Sequence, residues 1–312
     1  MNAVAQGQLT RYGQQSMQKG SLSFSFASRL FAKSIRSRVV RLYAWCRYVD
    51  NRVDGLPATA SFEERQRVLR ELEDESFAEM PPRELHPAMQ AFREVRGEVP
   101  FPDEHARDLI QGMAMDLDKV QYQTEEQLLL YCYRVAGVVG LMMSYMMNAE
   151  SKAAFPHAVD LGIAMQLTNI SRDIAEDAAM GRIYLPRTWL DKAGIPEGAN
   201  ILHPVYRPAL LAVVERALSM ADRYYSSGDA GLKYLPLRCA FAVAIAREVY
   251  SAIGHEVRRR QGHAWDQRVW IPWPQKVRVA CRGVGRVLKT VPYRLHQLTL
   301  GLRTEERMAL HE

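Results

Sequence analysis

Four cysteines in 312 residues, Cys46, Cys132, Cys239 and Cys281, are too few and too scattered for a disulfide framework, and no two form a C-x-x-C pair. They are expected as reduced thiols of a cytoplasmic protein. No stretch reaches the ~18 uninterrupted apolar residues of a membrane span, so an integral membrane protein is not expected. The first fifteen residues lack a charged segment leading into an apolar one, and no export signal is expected. Alternating strand patterns and fixed-period repeats are missing too. The histidines are scattered without metal-ligand spacing. A Gly-rich dinucleotide fingerprint is absent, which excludes one way of binding NADPH and not others.

Acid is scarce in the last fifty residues. From Arg258 to the C-terminus the chain carries twelve Lys and Arg residues, Arg268, Lys276, Arg278, Arg282, Arg286 and Lys289 among them, while Asp266 is followed by no acidic residue before Glu305. A basic end favours anionic partners, either phosphate-bearing substrates or an anionic membrane surface. Nucleic acid is not expected, because stacking aromatics are not interleaved with these cations. A solvated basic face without a partner fits the same pattern. Residues 277–302 space Val279, Val284, Val287, Leu288, Val291, Leu295 and Leu298 among the cations, as an interfacial helix or a packed amphipathic helix would.

What is present is helical periodicity broken by Pro and Gly. Residues 1–20 are polar and expected to be flexible. A long helix is predicted over 25–54, a charged surface helix over 63–77, others over 103–119, 124–148 and 155–179, and two more over 204–227 and 237–261. With no linker or composition shift, the expectation is one all-α domain.

The helix over 155–179 carries an unusual stripe. Gln166, Asn169, Asp173 and Asp177 stand three, four and four apart, which at about 100° per residue gathers them within roughly 80° of one another. Asp and Asn are poor helix formers, and carboxylates at i, i+4 repel. A second pair, Asp50 and Asp54, ends the helix over 25–54, with Arg47 three residues before Asp50. Alone, such a pair is usually a solvated surface feature. Two pairs on facing helices suit a different chemistry: Mg²⁺ is commonly held by one or two carboxylates together with substrate phosphate oxygens. A cation so placed would neutralise a diphosphate leaving group, and an apolar interior would shield the carbocation left behind.

These residues resemble the squalene/phytoene synthase family. Its second signature is matched by Leu161-Gly162, Gln166, Asn169, Arg172-Asp173, Asp177 and Arg182-x-Tyr184-x-Pro186; its first by Tyr131-Cys132 through Ala136-Gly137-Val138-Val139-Gly140; its first aspartate-rich motif by Asp50 and Asp54; its N-terminal flap by Ser21-x-Ser23-Phe24. The resemblance implies a single-domain isoprenoid-synthase helical bundle around a central apolar cavity, a catalytic domain over 21–275 and a basic tail over 276–312. It implies Mg²⁺ or Mn²⁺ on Asp50, Asp54, Asn169, Asp173 and Asp177. It further places Tyr131 in the catalytic site, and Ser21, Ser23, Phe24, Arg47, Gln166, Asn169, Arg172, Tyr250 and Arg268 against substrate. Other readings stand beside these. Arg47 and Arg172 could simply pair with neighbouring acids; Tyr131 and Tyr250 could be core tyrosines; Gly137 and Gly140 could serve close helix packing; the methionines at 142, 143, 146 and 147 could be core. Relatives often carry Ser-Lys-Ser-Phe in the flap, and Leu22 here removes that lysine.

The reaction implied is head-to-head condensation of two polyprenyl diphosphates through a cyclopropylcarbinyl diphosphate. Gly112-Met113-x-x-Asp116-Leu117 and the run from Gly181 to Pro186 look most like the bacterial C40-forming branch, which implies two geranylgeranyl diphosphates, a product of 15-cis-phytoene and no NADPH. A C30 dehydrosqualene or squalene synthase is the alternative, and a terpene cyclase or a non-catalytic scaffold of the same fold the alternatives of other classes. Small Ser28, one turn beyond Phe24, is expected to deepen the pocket for C20 chains. Cytoplasmic location, peripheral at the inner face of the membrane, would suit a water-insoluble product.

Overall fold

The computed structural model describes residues 3–297 and 299, apart from 21, 58, 81–83, 118–120 and 150, with backbone alone at 3–5, 22 and 23. Among the described residues there is no strand. The helices are α1 (Ala3–Gly20), α2 (Leu22–Ser28), α3 (Lys33–Asp54), α4 (Phe62–Phe77), α5 (Pro87–Glu98), α6 (Asp103–Leu117), α7 (Glu125–Cys132), α8 (Val138–Met146), α9 (Ala154–Arg172), α10 (Ile174–Ala179), α11 (Arg187–Lys192), α12 (Arg207–Gly231), α13 (Leu237–Arg260) and α14 (Trp273–Leu288). The local signals explain several starts: Ser61 closes a capping box with Glu64, Thr124 accepts from the Gln127 amide, and Pro87 and Pro208 fill first-turn positions.

Three expectations are corrected. The polar N-terminus is a packed helix, not a flexible segment. Leu9 and Met17 are buried, two turns apart, and a Cβ on Gly13 between them would lie 2.5 Å from the Val40 carbonyl oxygen, so α1 lies directly on the backbone of α3. The helix expected over 25–54 is two: after Ser28 the chain turns, buries Phe31 and restarts at Lys33, with Arg238 of α13 donating to the Leu30 carbonyl at 2.7 Å. The helix expected over 155–179 is interrupted at Asp173 (φ −96°, ψ 16°). Residues i and i+1 do not face each other on a regular helix, yet Arg172 forks onto the carboxylate of Asp173. The helical register nevertheless survives, because the Asp173 amide donates to Asn169 O and the Asp177 amide to Asp173 O, each at 2.8 Å.

Helix α9 is central, packed by α12, α13 and α8. Against α8 and the turn that leads into it the approach is closest: a Cβ on Gly140 would sit 2.2 Å from Ala158 O and one on Gly162 2.3 Å from Ala136 O. Between α7 and α8 the chain passes through a π turn at Tyr133–Gly137. The whole stretch Glu125–Met146 is long and apolar enough to cross a membrane, and half of it is buried within the bundle. At the other end of the chain, α14 packs on α13. Its Arg286 joins the half-buried Asp229 and the buried Glu248, and Arg247 pairs with both acids at 3.0 Å.

Candidate active site

Two cavities meet inside the bundle. One, about 660 Å³, is a polar cleft; the other, about 280 Å³, is an almost wholly apolar tunnel. Tyr43, Cys46, Val135, Gln166, Asn169 and Tyr250 line both, so the tunnel opens into the cleft floor. The π turn between α7 and α8 serves the junction, sending Tyr131 to the cleft, Val135 to both spaces and Ala136, Val139 and Gly140 to the tunnel.

The cleft collects residues from distant parts of the sequence: Asp50 and Asp54 from α3, Gln166, Asn169 and Arg172 from α9, Asp173 at the break, Asp177 from α10, and also Arg47, Tyr131, Tyr250 and Arg268. The two aspartate pairs and the polar stripe thus share one cavity. Ser21 lies outside the described residues, as does the side chain of Ser23. Phe24 lines the tunnel, stacked on Tyr43 with ring centroids 5.9 Å apart. Ser28 is buried with its hydroxyl donating to Ser25 O at 2.9 Å, and it is Phe24, Ala27 and Phe31 that form this part of the tunnel wall.

Five further residues lining the cleft were not singled out as site residues from the sequence: Lys19, Asp116, Arg182, Tyr184 and Lys276. Arg182 is the connector. Its guanidinium donates to Asp54 Oδ1 at 2.7 Å while its amide donates to the Asp177 carbonyl at 2.8 Å, tying one acidic pair to the other. Asp116 accepts from Tyr131 at 3.1 Å and Tyr184 at 2.8 Å, and those two rings stack 4.9 Å apart. Arg182, Tyr184 and Asp116 all stood inside matched motifs, which was the available signal. Lys19 and Lys276 carried none beyond charge.

Charge in the cleft is imperfectly balanced. Burial, then the nearness of Asp54, raises the pKa of Asp50 despite its bond to Arg47. Burial and the Asp173 charge push Asp177 up to about 7, and burial pushes Asp116 up to about 6 against the pull of Arg182 and its two tyrosines. Asp173 is better matched, held by Arg172 Nε at 2.7 Å and facing Arg268 at 3.3 Å. Among the described residues no three His, Cys, Asp or Glu side chains are gathered to enclose a metal ion unaided. The donors are all oxygens, carboxylates with the amides of Asn169 and Gln166 beside them, which is the hard set preferred by Mg²⁺ or Mn²⁺ when a substrate completes the coordination.

The Arg47 and Arg172 alternatives merge here, since each pairs with an acid and lines the cleft. So do those for the methionines: Met142 and Met146 are fully buried in the core, while Met143 and Met147 wall the tunnel.

The family profile described as Squalene/phytoene synthase matches residues 17–275. A 15-cis-phytoene synthase of Enterobacter agglomerans is 41% identical over 277 residues, covering 87% of this chain and 94% of the relative. A phytoene synthase of Pseudescherichia vulneris is 40% identical over 307 residues, covering 96% and 98%. Among solved structures, a dehydrosqualene synthase in complex with ligand superposes with a TM-score of 0.79 at 27% identity, over 91% of this chain and 98% of that one.

Proposed function

The chain belongs to the squalene/phytoene synthase family, and from that membership we propose that it joins two geranylgeranyl diphosphates head to head, through prephytoene diphosphate, to 15-cis-phytoene. Relatives named for that product at about 40% identity over nearly the whole chain support the reading most strongly. The observation in the molecule that carries it is the union of an acidic, arginine-rich cleft with an apolar tunnel, a space for a charged head and a greasy chain.

Asp50, Asp54, Asn169, Asp173 and Asp177 are the residues that would hold Mg²⁺ or Mn²⁺. Bound there, the cation would withdraw charge from the diphosphate as its C–O bond breaks. Arg47, Arg172, Arg182 and Arg268 stand around the same space to hold diphosphate oxygens. Lys19 and Lys276 add two cations to the cleft lining, while the flap motif has Leu22 in place of lysine. The tunnel wall of Phe24, Phe31, Leu42, Val139, Met143 and Leu232 excludes water from the allylic cation, and Tyr43 and Tyr250 line its junction with the cleft. Tyr131 and Tyr184, both donating to Asp116, form a hydrogen-bonded part of the cleft wall. The sequence of steps ends in loss of a proton without a reductant. We place the enzyme in the cytoplasm, in peripheral contact with the inner face of the membrane into which the hydrocarbon partitions.

The test is product identification. Purified protein with Mg²⁺ receives farnesyl or geranylgeranyl diphosphate, with and without NADPH. Phytoene from the C20 substrate alone, unaffected by NADPH, is expected. A C30 hydrocarbon from farnesyl diphosphate with no C40 product would move the protein to the dehydrosqualene branch suggested by its structural neighbour; a cyclic product would make it a terpene cyclase.

A further inference from the structure

We propose that the solvent-facing side of α14, continued by helical residues 291–297, is a docking surface for an anionic phospholipid bilayer, set so that the mouth of the cleft meets the lipid. The helix divides its circumference in three. Val279, Gly283 and Val287 are buried and hold it to the bundle, where a Cβ on Gly283 would lie 3.0 Å from Ile245. Trp273, Val277, Val284 and Leu288, at spacings of four, seven and four, form an apolar stripe on another side, from 39% to 67% exposed when Trp270 just before the helix is included. Val291 and Leu295 extend it. Arg278, Arg282 and Lys289, all exposed, run beside this stripe. Placing Trp, Val and Leu in water over some four turns, next to cations and away from the core, is the pattern of a helix lying in a lipid interface.

Charge selects the occupant. Between Asp266 and Glu305 there is no acidic residue, so two copies pressed face to face would bring cations against cations, whereas an anionic lipid surface complements them. Position agrees. Trp270 and Lys276 line the cleft while Trp273 touches Phe26 of α2 edge-on at 5.2 Å, so the exposed stripe starts at the rim of the site. An apolar chain leaving the tunnel through the cleft would meet lipid before water. That last link rests on the isoprenoid reading above; the surface itself does not.

The experiment is cosedimentation of the full-length protein, without substrate, with vesicles of phosphatidylcholine alone or mixed with phosphatidylglycerol. Binding to the mixed vesicles on the order of tenfold tighter than to neutral ones, weakened by salt, is expected. The double variant V284D/L288D is expected to lose vesicle binding while keeping wild-type turnover of substrate dispersed in detergent. R278Q/R282Q is expected to lose the preference for anionic lipid. The proposal is overturned if wild type does not sediment with the mixed vesicles, or if V284D/L288D binds them as wild type does. It is equally overturned if wild type is a dimer that V284D/L288D converts to monomer with vesicle binding intact. Vesicle binding by a protein that makes no hydrocarbon would sink the isoprenoid reading and leave the docking surface standing.

Discussion

The carboxylates of the cleft carry opposite consequences for stability and for function. Asp177 holds its proton in the folded chain until about pH 7, against an ordinary value of 3.8. Above pH 4 the unfolded chain ionises this group while the folded one does not, so its contribution to stability falls as pH rises toward 7 and stays low beyond. In metal-free buffer at pH 8, Asp177→Asn is therefore expected to raise the melting temperature, and the difference is expected to vanish near pH 4; thermal unfolding with a chelator checks it. A lower melting temperature at pH 8 would mean that Asp177 is already compensated. In the sequence the spacing of Gln166, Asn169, Asp173 and Asp177 was legible, because a helical period alone puts them on one side. Arg182 was not legible as the tie between the pairs, because it reaches Asp54 across 128 positions of sequence.

Helices were easier to read than their interruptions. Thr124 marked the start of α7 and Pro204 and Pro208 that of α12, because such signals act within one turn. The turn after Ser28 is held by Arg238 of α13, and Asp173 at the break faces Arg268, contacts that local preference does not encode. Helix α1 shows the same limit from the other side. A polar composition hid a narrow buried seam of Leu9, Gly13 and Met17, whose value exists only once α3 lies beneath it. Met17→Ala is expected to cost about 2–5 kcal/mol, the range for emptying a packed core site. Chemical denaturation would measure it, and a change within error of zero would show that α1 contributes nothing to the fold.

At the scale of the molecule, the apolar tunnel and the acidic cleft share α3, α9 and α13, so the chain that fits and the diphosphate that ionises are positioned by one framework. That an all-α bundle would enclose an apolar cavity came from the family resemblance; its walls came from the packing of α2, α3, α8, α9 and α13. Val243 lies on that wall. Val243→Phe is expected to shift the ratio of kcat/KM from C20 toward C15 diphosphates by about tenfold or more, the scale on which an apolar pocket discriminates by bulk. Product carbon number under mixed-substrate conditions reads this directly, and an unchanged ratio would place the chain elsewhere.

The proposed function requires the two acidic pairs to bind substrate through a cation, not in spite of their charge. Titration calorimetry with a non-ionising geranylgeranyl thiodiphosphate, in millimolar Mg²⁺ and in chelator, tests this most directly. Wild type is expected to bind on the order of tenfold or more tightly with Mg²⁺, and Asp50→Asn and Asp173→Asn, with native circular dichroism, are expected to lose that gain. Equal affinity with and without the cation, or a gain retained in both variants, would contradict it.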